Sequence, residues 1–300
     1  MHARQQWHRD SQLTIRMFIV LFLLGALYLA FIGALFYVGF NILFIAVIAG
    51  GLALVQYFFS DKLVLASMGA KEVSAAEAPE LHAMIERLAQ AMDLPKPKIA
   101  YMQSDVPNAF ATGRNPENAV VTVTSGIMHQ LSPEELQAVL GHELTHVKNR
   151  DVTVITIASF FATIAGFITQ WGMFLGLGRS RDDRGGAGAF MIAYLASVLV
   201  WIISFFLIRA LSRYRELAAD RGAAVVTGDP AALKSALMRI SGRMNQIPEQ
   251  DLRRVEGANA FFIIPAVKGF SVTELLSTHP SLARRIEQLD QMQRQMEGIS

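Results

Sequence analysis

The sequence predicts a mainly helical α+β protein in which four transmembrane helices are combined with a soluble domain that contains a small sheet. Hydrophobic residues make up 52% of the chain and charged residues only 17%, which is more apolar than an ordinary soluble protein. Uncharged apolar stretches long enough to cross a bilayer come in two pairs. The remaining segments combine amphipathic helical patterns with short β-rich runs, which is typical of an α+β domain.

Composition also excludes several kinds of partner and site. The formal net charge is +2, and basic residues form no stripe interleaved with aromatic residues, so nucleic acid is not expected as a partner. The chain has no cysteine, which excludes disulfides, thiolate metal ligands and a cysteine nucleophile. A metal site in this chain must therefore be built from His, Asp and Glu.

Four segments without Asp, Glu, Lys, Arg or His predict the membrane-spanning helices. They are residues 17–38, 41–59, 152–177 and 189–208. The first is longer than the apolar region of a signal peptide, and the second follows after a very short link, so the pair predicts a transmembrane hairpin. For the third and fourth segments, a buried helical hairpin in a globular core is the alternative interpretation.

The distribution of Lys and Arg predicts the orientation of the spans. Positive charges precede the first and third spans and follow the second and fourth, and with four spans all these flanks lie on one side of the membrane. We expect that side to be the cytoplasm. The loop at 178–188 carries three Arg on the opposite side, so shallow or re-entrant helices are an alternative for the third and fourth spans.

Domain boundaries follow from the spans. We expect a cytoplasmic N-terminus at 1–16, transmembrane hairpins at 17–59 and 152–208, and a soluble domain assembled from 60–151 and 209–300. Within the soluble parts, apolar periodicity predicts helices at 79–92, 230–243 and 281–296, and β-rich runs predict extended segments at 98–102, 107–113 and 119–124. Residues 245–275 have an irregular pattern.

One further helix carries a metal-binding motif. A Ser-Pro-Glu-Glu helix start at 132–135 precedes the run Gly-His-Glu-Leu-Thr-His at 141–146. His142 and His146 are four residues apart, so they lie on one helix face, one turn apart. Glu143 follows the first His and can take a proton from a water bound to the same metal. This combination is typical of a zinc metalloprotease and predicts a zincin-like domain.

A third protein ligand must come from another element, because a catalytic zinc site usually has three protein ligands and one water. Residues 149–155 contain no His. If the third and fourth spans continue as unbroken helices into their polar flanks, Glu216 returns to the depth of His142 and His146, so we assign it to the metal. Asp220 lies one turn further, and we expect it to bind a ligand His through its second nitrogen. Simple surface pairing of these acids with neighbouring Arg residues is the alternative.

Four segments of the chain together resemble the HtpX family of membrane zinc proteases. They are Pro107-Asn-Ala-Phe-Ala-Thr-Gly113, Val139-Leu-Gly-His-Glu-Leu-Thr-His-Val-Lys-Asn-Arg-Asp151, Ser212-Arg-Tyr-Arg-Glu-Leu-Ala-Ala-Asp220 and Thr278-His-Pro-Ser-Leu-Ala-Arg-Arg-Ile286. The resemblance covers nearly the whole chain, including the order of the spans, and extends more loosely to CAAX prenyl proteases, which carry more spans. Leu217 departs from it, since many relatives have an aromatic residue there.

The resemblance implies one zinc ion per chain, bound by His142, His146 and Glu216, with Glu143 as the general base. It implies an endopeptidase in the bacterial inner (plasma) membrane whose active site faces the cytoplasm. Its partners would be the lipid bilayer and its protein substrates, which are misfolded or damaged membrane proteins degraded in a stress response.

The resemblance also implies roles for residues that spacing does not rank. Asn108 and His279 match positions that contact the substrate or stabilise the oxyanion, whereas their sequence context alone favours a turn residue and a helix-entry residue. Arg284 or Arg285 is expected to hold a carboxylate near the site, and the sequence does not choose between them.

Two other functions fit the same motifs. One is a membrane protease of narrow specificity, and the other is a non-enzymatic four-span membrane protein with a structural zinc site. A transporter is disfavoured because all four spans lack ionisable residues. For a protease, we expect an extended substrate to add to an exposed strand edge at 109–113 or 119–124.

Overall fold

The fold was described from a computed structural model of the chain. The described residues are 11–37, 64–176, 184–247 and 277–298, together with 47, 50, 51, 54, 58, 62, 263 and 264. They divide into two compact units. The first unit comprises Phe58–Thr153 and Arg213–Ser300, and the second comprises Asp10–Tyr57 and Val154–Ser212.

The main helices and strands agree closely with the sequence expectations. The helices are α1 Ser11–Tyr37, α2 Pro79–Ala91, α3 Ser125–Gln130, α4 Pro133–Lys148, α5 Asp151–Gly176, α6 Arg184–Thr227, α7 Pro230–Gln246 and α8 Leu282–Met296. The strands are β1 Lys71–Glu72, β2 Lys98–Met102, β3 Ala109–Thr112 and β4 Val120–Thr124, and a short 3-10 helix covers Pro116–Asn118. The predictions for α2, α4, α7, α8, β2 and β4 are confirmed, whereas α3 was not expected. Most of the irregular segment at 245–275 lies outside the described residues.

The four strands form one mixed sheet in the order β1-β2-β4-β3. Strand β4 pairs in parallel with β2, where Val121 lies opposite Ile99, and antiparallel with β3, where Val121 lies opposite Ala111. Because β4 is paired on both sides, the expectation that residues 119–124 offer a free edge is wrong. Strand β3 is one edge of the sheet, and it is shorter than the extended segment predicted at 107–113.

Helix α4 lies in the core of the first unit and contacts α2, α7, β3 and β4. Its apolar residues Ala138, Val139, Leu140 and Leu144 are completely buried. The helix begins with a capping box in which the Ser132 side chain accepts from the Glu135 N–H and the Glu135 carboxylate accepts from the Ser132 N–H. The predicted motif helix is therefore fixed both at its start and along its apolar face.

Two glycines allow α4 and α6 to approach closely. A Cβ built on Gly222 of α6 would lie 2.9 Å from Thr145 Cβ and closer still to the Thr145 Cγ2 and Oγ1 atoms. A Cβ built on Gly141 of α4 would lie 3.1 Å from Val226 Cγ1. The spacing between the two helices therefore depends on the absence of a side chain at these positions.

Among the described residues, two helices rather than four are long and apolar enough to span a membrane. They are Ser11–Phe36 in α1 and Met191–Thr227 in α6, and only 28% and 22% of their most apolar windows are buried, whereas a soluble core helix is mostly buried. The predicted spans 17–38 and 189–208 lie within them, apart from residues 37, 38, 189 and 190. The predicted span at 152–177 falls in α5, whose described apolar part is the shorter Asp151–Gly166. The predicted span at 41–59 lies mostly outside the described residues.

The connection between α4 and α5 differs from the sequence expectation. Helix α4 ends at Lys148, Arg150 has a φ of +54°, and α5 begins at Asp151. The expectation of an unbroken helix from His146 into the third span is therefore wrong. On the other flank, α6 runs from Arg184 to Thr227 without interruption. The expectation of an unbroken helix from the fourth span to Glu216 is therefore confirmed.

Candidate metal centre and active site

Three predicted ligands converge in the first unit. The Nε2 atoms of His142 and His146 are 3.0 Å apart. Glu216 places Oε2 at 3.6 Å from His142 Nε2 and Oε1 at 3.4 Å from His146 Nε2. One ligand atom from each of these residues can be chosen so that all lie within 4.8 Å of one another. The i, i+4 spacing on α4 and the close passage of α6 together produce this cluster.

The cluster fits a zinc ion. Ligand atoms about 2.0–2.1 Å from zinc in a tetrahedral arrangement are roughly 3.3 Å apart, which is close to the separations found here. Glu216 Oε2 is buried and has no hydrogen-bond partner among the described residues. Its ion-pair partner Arg285 Nη1 is 3.7 Å away. A buried carboxylate oxygen without a hydrogen bond is costly, and a metal ion would reduce that cost. The donor set of two imidazoles and one carboxylate is also common at catalytic zinc.

Glu143 lies beside the cluster on α4 and is 5% exposed. Its Oε2 accepts a hydrogen bond of 3.0 Å from the backbone N–H of Ala111 on the edge strand β3. Burial raises the pKa of Glu143 above its ordinary value, although the charges of His142 and His146 act to lower it. A carboxylate that is fixed in position and has a raised pKa is suited to accept and release a proton near neutral pH.

The second nitrogen of His142 contacts the acid expected to hold it. His142 Nδ1 is 2.9 Å from Asp220 Oδ1, and Asp220 is completely buried. Arg285 donates from Nε and Nη2 to the two Asp220 oxygens at 2.8 and 2.6 Å. Of the two candidate arginines, Arg285 is therefore the one that holds this carboxylate, and it is itself only 2% exposed.

The second nitrogen of His146 also contacts an acid, one to which the sequence interpretation gave no role. His146 Nδ1 is 2.6 Å from Asp151 Oδ2. Asp151 is the first residue of α5 and forms an ion pair with Arg215. Asp151 lies five residues after His146, and on an unbroken helix this interval would separate the two side chains by about 140°.

His279 lies at the edge of the cluster and is 5% exposed. Its Nε2 is 3.9 Å from Glu216 Oε1, and its Nδ1 is 3.0 Å from the Thr278 hydroxyl. Burial lowers the pKa of His279 below its ordinary value, although the Glu216 carboxylate acts to raise it. When the Thr278 hydroxyl donates to Nδ1, the ring proton resides on Nε2, which faces the cluster.

Asn108 is completely buried, and its side-chain oxygen accepts a hydrogen bond of 3.2 Å from the backbone N–H of Ile263. Arg285 Nη1 donates to the carbonyl of the same residue at 2.7 Å. The peptide groups on both sides of Ile263 are thus bound by residues near the site. These contacts give Asn108 a structural role, and its contact with substrate stays a prediction.

The chain is similar to several known proteins. The chain matches peptidase family M48 over residues 75–293, a range that includes all the residues of the cluster. It is 59% identical to a "Protease HtpX homolog" from Moorella thermoacetica, with 98% of this chain and 99% of that protein covered. It is 54% identical to "Protease HtpX homolog 2" from Methanosarcina acetivorans, with the same shares covered.

A solved structure has a similar fold. The crystal structure of S. mikatae Ste24p matches with a TM-score of 0.56 and 19% identity, covering 93% of this chain and 67% of that chain. At this identity the comparison bears on the fold alone.

Proposed function

Because the chain belongs to peptidase family M48 and is a metalloprotease, we propose that it is a zinc-dependent endopeptidase of the membrane that degrades misfolded or damaged membrane proteins. The observation that carries the proposal is the convergence of His142, His146 and Glu216 within 4.8 Å, next to Glu143, whose carboxylate is held by the edge strand. A structural zinc site has no need of a buried general base beside it.

His142, His146 and Glu216 would hold the zinc, which when bound would supply an activated water and polarise the scissile carbonyl. Glu143 takes the proton of the attacking water. Since Oε2 accepts from Ala111 and no other hydrogen bond of Glu143 is found among the described residues, Oε1 is the oxygen assigned to this transfer. Glu143 then delivers the proton to the leaving amine. His279, as a neutral donor through Nε2, stabilises the developing oxyanion.

Strand β3 provides the proposed binding edge for an extended substrate. Thr124 N–H donates to the Asn108 carbonyl, and Phe110 and Thr112 continue the pairing with β4. Successive residues of a strand alternate in the direction of their backbone groups. Ala109 and Ala111 therefore direct their backbone groups away from β4, and Ala111 meets Glu143. Binding through backbone groups depends little on substrate side chains, which suits a protease of damaged proteins.

The membrane context of the proposal rests on α1 and α6. Large apolar side chains of α1 are strongly exposed, including Phe18 at 72%, Phe22 at 74% and Phe36 at 75%. Such a surface is expected to face lipid. We propose that the segments at 41–59 and 152–177 complete four spans, that residues 60–151 and 209–300 form the protease domain, and that this domain lies on the cytoplasmic side of the inner membrane.

The test uses the full chain purified in detergent under chelation. Zinc is then added, and cleavage of unfolded casein and of the chain itself is followed for the wild type, Glu143→Gln and Glu134→Gln. Glu134 lies on the exposed side of the same helix, so its variant is a matched control. We expect zinc to start cleavage in the wild type and the control, and Glu143→Gln to bind zinc without cleaving.

Two results would argue against parts of the proposal. If Glu143→Gln cleaved at the wild-type rate, Glu143 would not be the base. If the wild type bound zinc and cleaved neither casein nor itself, the general degradative role would be abandoned in favour of a narrow-specificity protease.

A further inference from the structure

The ligand His146 is contacted on both sides of its ring by acids whose positions depend on α6. On one side, Nε2 faces Glu216 Oε1 at 3.4 Å. On the other, Nδ1 lies 2.6 Å from Asp151 Oδ2. Asp151 is only 8% exposed, so its carboxylate needs a partner to remain charged.

Arg215 supplies that partner. It is 5% exposed, forms an ion pair with Asp151, and donates from Nη2 to the carbonyl of Asn149 at 3.0 Å. Asn149 is the C-cap of α4, and Asp151 begins α5. One guanidinium therefore binds both ends of the turn that connects these helices. Arg215 precedes the ligand Glu216 directly, so one turn of α6 contributes to both sides of His146.

The turn between α4 and α5 has the conformation that the contact between Asp151 and His146 requires. Arg150 has a φ of +54°, in the left-handed region that non-glycine residues rarely adopt. On a continuous helix the residue five positions after His146 would point about 140° away from it. The left-handed residue ends α4 and returns Asp151 to the imidazole. A rarely populated conformation at this position is consistent with a constraint imposed by the site.

The arrangement repeats the one around the other ligand. His142 Nδ1 contacts Asp220, which is bound by Arg285. His146 Nδ1 contacts Asp151, which is bound by Arg215. Each imidazole thus has a buried carboxylate behind it, and each carboxylate has a buried guanidinium. An imidazole whose Nδ1–H donates to a carboxylate is fixed with its Nε2 lone pair toward a metal.

We propose that Asp151 and Arg215 are positioning residues of the metal site: Asp151 orients His146 through Nδ1, and Arg215 together with the left-handed turn at Arg150 holds Asp151 in place. This inference rests on the proposed metal site at His142, His146 and Glu216. Neither residue touches the reacting atoms.

The test measures zinc affinity rather than cleavage. The full chain in detergent is stripped of metal, and its zinc dissociation constant is determined by competition with a chromophoric chelator. Asp151→Ala is expected to weaken zinc binding by about 10–100-fold, the usual effect of losing a partner of a ligand His. Asp151→Asn, which keeps an oxygen acceptor, is expected to weaken it less. Cobalt in place of zinc should show a shifted visible spectrum in Asp151→Ala, because His146 is no longer held in one orientation.

Asp290→Asn is the matched control. Asp290 also forms an ion pair, with Lys234 at 2.7 Å, but it is half-buried and contacts no proposed ligand. We expect its zinc affinity and cobalt spectrum to equal those of the wild type. Melting of the metal-free proteins shows whether each variant folds. A purely structural role for Asp151 would lower the melting temperature while leaving the cobalt spectrum unchanged.

The turn is tested separately. Arg150 is exposed, and no hydrogen bond or ion pair of its side chain is found among the described residues. Arg150→Gly, which adopts a positive φ readily, should keep the wild-type zinc affinity, whereas Arg150→Ile should weaken it, because a β-branched residue resists this conformation. Equal affinities for Gly and Ile would overturn the role of the turn.

Reference variants separate the failure of this inference from that of the proposed site. His146→Ala and Glu216→Gln should lose zinc. If they retain it, the proposed metal site is wrong. If they lose it while Asp151→Ala and Asp151→Asn both stay within about twofold of the wild type, far below the usual effect, then only the positioning role is overturned.

Discussion

The close contact between α4 and α6 gives the sharpest test of how the site is built. Gly222→Ala would add a methyl group 2.9 Å from Thr145 Cβ and nearer still to the other Thr145 side-chain atoms. The Thr145 side chain cannot easily rotate away, because its hydroxyl donates to the Gly141 carbonyl at 2.8 Å and the residue is completely buried. Since ordinary carbon contacts are about 3.5–4.0 Å, the helices would have to separate by roughly 1 Å.

The expected cost has two parts. Overpacking of a rigid core costs about 1–3 kcal/mol of unfolding free energy. Thr145 is next to His146, and Gly222 lies six residues after Glu216. The same separation therefore moves the proposed ligands on α4 away from the proposed ligand on α6. A misplacement of about 1 Å in a catalytic site can cost about 100-fold in rate. We therefore expect lower stability, weaker zinc binding and slower cleavage together.

Urea unfolding of the metal-free protein and chelator competition measure the first two effects. Gly242→Ala is the control, since Gly242 lies in α7 with no atom within 4 Å of an added Cβ. It should stabilise the chain by about 0.5–1 kcal/mol through helix propensity. Thr145→Ala combined with Gly222→Ala removes the two nearest clashing atoms and should recover part of the zinc affinity. If Gly222→Ala bound zinc and unfolded like the wild type, the account of helix spacing would be wrong.

Three further predictions follow from the site. Arg285→Met should lower the unfolding free energy by about 3–5 kcal/mol, because it removes the guanidinium that neutralises the buried Asp220 carboxylate. Arg294→Met, at an exposed position of the same helix, should change it by less than about 0.5 kcal/mol, and urea titrations compare the two variants. Zinc at about 100 times its dissociation constant should add about 2.7 kcal/mol to the unfolding free energy, and chelation should remove this gain. Thermal melts of Glu216→Gln should be the same with and without zinc. Asn108→Ala should lower the unfolding free energy by about 1–3 kcal/mol, because it leaves the Ile263 N–H without its acceptor, and it should leave the zinc affinity unchanged. Unchanged stability with a raised KM would instead support a contact between Asn108 and substrate.

The sequence could predict those parts of the site that depend on local periodicity. His142, Glu143 and His146 follow from the repeat of one helix, and the buried stripe of α4 follows from the same period. Glu216 and Asp220 could be found because α6 is unbroken from Arg184 to Thr227, so that distance along the helix corresponds to depth. The premise of an unbroken helix was therefore correct for the flank that carries Glu216, the proposed third ligand.

Other features depend on tertiary contacts that no local pattern carries. Arg284 and Arg285 are adjacent and chemically identical, and only the rotation of α8 against α6 makes Arg285 the partner of Asp220. The free edge of the sheet could not be assigned either, because strand order depends on pairing between distant segments. From the sequence, β3 and β4 were equally good candidates for a free edge, whereas the observed order β1-β2-β4-β3 places β4 inside the sheet.

Asp151 illustrates how a wrong local premise hides a residue of the site. Continuing α4 through 149 and 150 directs the side chain of residue 151 away from His146, and on that premise the acid has no function. The observed left-handed Arg150 reverses this conclusion, since it brings the carboxylate to the imidazole. No glycine marks the turn, so the sequence lacks the usual signal of a positive φ. Arg150 is instead held by its surroundings, in which Arg215 binds the chain on both sides of the turn. The conformation that the sequence could not indicate is thus stabilised by the residue directly before Glu216, the proposed third ligand.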